Sequence, residues 1–102
     1  MRIATNNRLA HYQVEFQELQ EQTAMLNAQL PGLMSQIQQT YAYLQVNGGD
    51  RRARQQYSEL NRRYNSICAS VRRNTVRMQT LQRQITGECM KASFTRARRS
   101  YY

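Results

Sequence analysis

Several kinds of residue are scarce in this chain of 102 residues, and each scarcity closes off a class of function. It has one histidine, two cysteines, one proline, four glycines, no tryptophan and only six acidic residues. A lone histidine, His11, offers no pair for acid–base work, and on the repeat described below it falls at an outward position of a helix. Cys68 and Cys89 have no CxxC spacing, so they do not make a zinc site. They stand 21 residues apart, about 30 Å along a continuous helix, which also prevents a bridge within one straight helix. Free thiols of this kind suit a reducing compartment. Gly48-Gly49 lacks the flanking residues of either phosphate-cradling motif. Glu15, Glu18 and Glu21 are spaced by three along a helix, where three like charges are ordinarily solvated or paired with arginines. No catalytic or metal-ligating set emerges, no cofactor is implied, and the expectation is a protein that is not an enzyme.

Long apolar runs are missing as well. Nothing approaches the ~20 residues needed to cross a bilayer, and Asn6, Asn7, Arg8, His11 and Gln13 break any apolar core of a secretory signal. The expectation is no membrane insertion and a cytoplasmic location, or packaging into a particle assembled in the cytoplasm.

What the sequence does contain is two matching repeats. In the first half apolar residues fall at Leu9, Tyr12, Phe16, Leu19, Leu26, Leu30, Leu33, Ile37 and Leu44. In the second half they fall at Tyr57, Leu60, Tyr64, Ile67, Val71, Met78, Leu81 and Ile85. Spacings that alternate between three and four mark a coiled-coil seam. In an antiparallel hairpin, facing residues have numbers that add to a constant. The pairs 37/60, 33/64, 30/67, 26/71, 19/78, 16/81 and 12/85 all add to 97. The two polar interruptions, Thr23 and Asn74, add to the same constant, which makes them a candidate register pair.

The predicted fold is therefore all-α, an antiparallel two-helix coiled-coil hairpin with a basic C-terminal tail. Residues 1–7 read as an N-terminal extension, with Asn6 or Asn7 as the N-cap of helix one. Residues 8–86 read as the hairpin, with its turn at 47–50, and residues 87–102 as the tail. Asn47, Gly48 and Gly49 tolerate positive φ, Asp50 is placed to cap helix two, and Gly87 offers a helix-ending position. Pro31 is the weak point. Either it kinks helix one or it ends that helix in a true turn, giving three helices; the unbroken repeat through Leu30, Leu33 and Ile37 favours the kink.

A hairpin of this length has almost no three-dimensional core, so self-association or a protein partner is expected. Met34, Tyr41 and Cys68 flank the seam and are candidates to widen it toward further helices.

Charge is unevenly divided. The net charge is +9, and arginine outnumbers lysine fourteen to one. Residues 1–46 carry two basic and three acidic groups, whereas residues 47–102 carry thirteen basic and three acidic. On a helical wheel Arg51, Arg52, Arg54, Arg62, Arg63, Arg72, Arg73, Arg77 and Arg83 fall away from the seam, a basic outer face with few acids interspersed. Lys91, Arg96, Arg98, Arg99, Tyr101 and Tyr102 extend this character into the tail. Such an array suits sequence-independent contact with nucleic-acid backbone, or with an acidic protein surface. Long antiparallel helices do not suit a base-reading helix-turn-helix.

The functional expectation is a structural or assembly subunit of a larger complex, of virion or nucleoprotein type. Two alternatives share the same shape. One is a regulatory nucleic-acid binder or an inhibitor of a protein–nucleic-acid machine. The other is a stalk or chaperone of a secretion or motor assembly, working through its tip and seam.

Overall fold

The computed structural model describes the backbone of residues 2–100 and the side chains of residues 7–93. It consists of two helices, α1 (Arg2–Val46) and α2 (Arg51–Ser100), which pack against each other as a helical hairpin. No strand is present among the described residues.

The alternating spacing in the sequence dictates which face of each helix is buried. All seventeen apolar seam positions are buried or half-buried. Leu33, Ile37 and Leu60 form a buried cluster with Tyr57, Tyr64 and Ile67 packed on it, the grouping that the 37/60 and 33/64 register requires. Three further positions continue the repeat without belonging to the apolar pattern. Ala53 and Glu88 are buried and Thr40 is half-buried, and each stands where the register leaves Leu44, Leu9 and Tyr57 needing a partner.

The hairpin divides into two compact units. The tip unit is Gln22–Arg73, and the terminal unit is Met1–Glu21 with Asn74–Tyr102. The tip unit holds the apolar cluster just described. The terminal unit holds Leu81, whose side chain is fully buried, with Phe16, Met78 and Ile85 half-buried. Thr23 lies buried in the first unit and Asn74 half-buried in the second. The Thr23 hydroxyl finds no hydrogen-bond partner among the described residues.

Two helix boundaries differ from the sequence reading. Helix α1 begins at Arg2, not near Arg8. It also runs without a break through Pro31, which excludes the three-helix alternative. Proline removes one backbone donor. Pro31 is exposed, and so is Asn27 four residues earlier, so water can satisfy the carbonyl that loses its partner. Helix α2 passes Gly87 and continues to Ser100, whereas the sequence placed its end near Thr86. Glycine in a helix interior costs only about 1 kcal/mol relative to alanine, which the apolar burial of Leu81 and Ile85 in the preceding turns outweighs. No residue among those described adopts positive φ, glycines included, so Gly87 makes no left-handed exit.

The turn is built by hydrogen bonds. The Asn47 amide donates to the Tyr43 carbonyl at 2.9 Å, and its side-chain nitrogen donates to the same oxygen at 3.2 Å. The Asp50 amide then donates to the Asn47 carbonyl at 3.0 Å. Gly48 and Gly49 turn the chain without positive φ, so the tolerance glycine offers at these positions is not used.

Candidate polyanion interface

Asp50 anchors the start of the basic helix. Its Oδ1 accepts the Ala53 amide at 3.1 Å and its Oδ2 accepts the Tyr43 hydroxyl at 2.7 Å. The first is the N-cap bond expected of an aspartate in this position. The second ties α1 to α2, and the spacing of residues in the sequence gives no sign of it. The Tyr43 hydroxyl, followed by the Ala53 amide, holds the Asp50 carboxyl below the ordinary carboxylate range. The same bond to Asp50 raises the Tyr43 phenol above its usual value. Beside them lies a shallow depression of about 310 Å³, lined by Gln39, Thr40, Tyr43, Asp50, Arg52, Ala53 and Gln56. No cluster of metal-ligating side chains occurs among the described residues.

From this anchor, α2 carries its arginines outward. Within the tip unit Arg51, Arg52, Arg54, Arg62, Arg63, Arg72 and Arg73 are all exposed. They face only two acids in that unit, Asp50 and Glu59, so seven positive and two negative charges leave a net of +5. Three of the four Arg-Arg pairs in the sequence fall here, at 51–52, 62–63 and 72–73. Intervals of ten and eleven residues are close to three helical turns. The pairs therefore recur on similar sides of α2 about every 15–16 Å, over roughly 33 Å in all.

Their local partners are few. Arg73 Nη2 donates to Ser70 Oγ at 3.1 Å, and the Arg52 amide supports the Asp50 carboxylate. Among the described residues Arg51, Arg54, Arg62, Arg63 and Arg72 make no ion pair.

In the terminal unit the cations are used differently. Arg77 Nη2 reaches both oxygens of Glu15, at 2.8 and 3.1 Å, so this member of the basic face is engaged by α1. Arg8 and Lys91 approach the buried Glu88 carboxylate at 4.0 and 3.8 Å. Arg83 is exposed. The side chains of Arg96, Arg98, Arg99, Tyr101 and Tyr102 lie outside the described residues. His11 is exposed, as the repeat predicts.

Cys68 is half-buried and Cys89 exposed, and both are free thiols. No helix among the described residues is long and apolar enough to cross a membrane.

No protein-family model matches the chain, and neither does any characterised protein or solved structure. The residues themselves carry the functional argument.

Proposed function

We propose that the protein is a non-enzymatic structural or assembly subunit that grips an extended polyanion, in the first place nucleic-acid backbone, through the outward arginines of α2. The observation that carries this reading is the linear spread of Arg51, Arg52, Arg54, Arg62, Arg63, Arg72 and Arg73, all exposed and nearly unopposed by acids. A small anion needs cations that converge on one point. A row about 33 Å long instead matches a ligand whose charges are themselves in a row. Guanidinium groups favour phosphate oxygens because they donate in a planar fork and shed water more readily than ammonium. The contacts would read backbone and not base edges, so sequence preference should be weak. A nucleoprotein particle is the setting in which such a hairpin works as a repeated component.

The test is light-scattering mass and binding of a random-sequence duplex across a salt series. Affinity should fall steeply with salt, by a log–log slope of about 0.9 for each phosphate contacted. The triple variant Arg62→Gln, Arg63→Gln, Arg72→Gln should flatten that slope by two to three units and leave helicity intact. Absence of binding at about 50 mM salt, where counterion release favours the complex most, overturns the nucleic-acid reading and directs the search to acidic protein surfaces.

A further inference from the structure

The depression beside the turn shares a residue with the arginine row. Arg52 stands in its wall and in the first arginine pair of α2. Arg63 lies seven residues beyond the lining residue Gln56, about 10 Å further along the same side of that helix. A strand held along the row therefore passes the depression with a cation on either side. We propose that the depression receives one unpaired nucleobase of that strand, stacked on the Tyr43 ring. The proposal rests on the polyanion reading and adds that the polyanion is single-stranded nucleic acid.

Three observations select a base as the occupant. First, the wall is aromatic, amide and hydroxyl, and its one carboxylate is turned into the fold. Asp50 accepts the Tyr43 hydroxyl on Oδ2 at 2.7 Å and the Ala53 amide on Oδ1 at 3.1 Å. Second, Tyr43 has a ring to offer. Its hydroxyl is anchored by Asp50 while 47% of the residue stays exposed. The ring of Tyr41, 53% exposed, is already set against Tyr57 at a centroid separation of 6.0 Å. Bases stack on such rings whatever their identity, which keeps sequence preference weak. Third, the side-chain amides of Gln39 and Gln56, one from each helix, line the depression and hydrogen-bond to no other described residue. Each carries both a donor and an acceptor, so the two can follow the differing edges of the four bases. The volume of about 310 Å³ is at the small end of ligand sites. Bases of an intact duplex are held in the stack and cannot enter.

The test compares two single strands of equal length and charge, one bearing bases and one abasic at every position, by fluorescence anisotropy at fixed salt. The natural chain should bind the base-bearing strand about ten-fold more tightly. Tyr43→Leu should bring the two affinities within about two-fold of each other. Tyr43→Phe loses the same bond to Asp50 but keeps the ring, so it should retain most of the preference. The double variant Gln39→Ala, Gln56→Ala should weaken binding of the base-bearing strand alone. None of these variants should change the salt slope or the affinity for the abasic strand, because the arginines remain. Equal affinity of the natural chain for both strands overturns the proposal and leaves the arginine row standing, whereas failure of both strands to bind overturns the polyanion reading itself. Displacement of the base-bearing strand by an equal concentration of nucleoside monophosphate also overturns it, because the depression would then serve a free nucleotide and not a strand held along the row.

Discussion

The tip unit and the terminal unit use the same repeat to different ends. In the tip unit, Leu33, Ile37 and Leu60 are buried together with three further large side chains against them, and the Asp50 carboxylate closes the turn. In the terminal unit one leucine is fully buried, a glutamate occupies a seam position, and ion pairs join the helices at Arg77–Glu15 and Arg8–Glu88. Ion pairs between exposed groups are screened by salt, whereas apolar burial is not weakened by that screening. The comparison teaches that the tip unit rests mainly on apolar burial, whereas the terminal unit adds ion pairs that salt can screen.

The largest effect should come from Leu81→Ala. It removes the fully buried side chain of the terminal unit, and leucine-to-alanine changes in a core cost about 2–5 kcal/mol. Amide hydrogen exchange should accelerate in residues 76–88 and change far less in residues 33–67. Uniform loss of protection along both helices would break the comparison, because the two units would then unfold as one.

Glu88→Leu comes next, and its sign is opposite. The Glu88 side chain is only 9% exposed, and its cations are distant and solvated, with Arg8 61% and Lys91 73% exposed. Desolvating a carboxylate for pairs at 3.8–4.0 Å recovers little, and removing it strands no buried charge. Leucine at this position extends the apolar repeat, so the variant should be more stable by about 1 kcal/mol, read from urea unfolding. A destabilised variant would mean that Glu88 holds the terminal unit together by charge.

Glu88 also marks the limit of what was legible in the sequence. The hairpin was readable because apolar spacing and the constant register are independent signals that agree, and the seventeen seam residues are buried or half-buried accordingly. Ala53, Thr40 and Glu88 were missed because they are small, polar or charged. The vacant places opposite Leu44, Tyr57 and Leu9 were the signal that would have found them. Gly87 misled because a glycine makes a left-handed helix exit only where the chain takes positive φ, and here α2 continues through it without one. The Tyr43–Asp50 bond could not be read from periodicity, since it depends on how the turn folds back. For the arginine row, exposure was legible, but the engagement of Arg77 by Glu15 needed the geometry of both helices.

The turn makes a third, pH-dependent prediction. Because the folded Asp50 carboxyl titrates below its ordinary range, its contribution is complete above the unfolded value and is lost as pH falls through the folded one. The raised Tyr43 phenol behaves conversely, with its contribution complete below the ordinary phenol value and lost as pH rises above it. Asp50→Asn keeps a helix-capping side chain but cannot titrate. The difference in melting temperature between the natural chain and this variant should therefore shrink on acidification below the carboxylate range. A difference that stays constant down to pH 2 would assign Asp50 a purely steric part in the turn.

The smallest effect distinguishes the units most cleanly. Arg77 and Glu15 meet at 2.8 Å, but their side chains remain 46% and 34% exposed, so solvent screens most of the attraction. Pairs of this kind contribute about 0.2–1 kcal/mol in double-mutant cycles. The cycle built from Arg77→Gln and Glu15→Gln should give a coupling in that range at low salt and near zero at 1 M, where the screening length falls to about 3 Å. The same salt change should leave the effect of Leu60→Ala in the tip unit unaltered, because Leu60 lies in an apolar cluster. If the Arg77–Glu15 coupling survived 1 M salt, the pair would be acting as a packed contact through its methylene stems. The terminal unit would then be held together by packing, as the tip unit is.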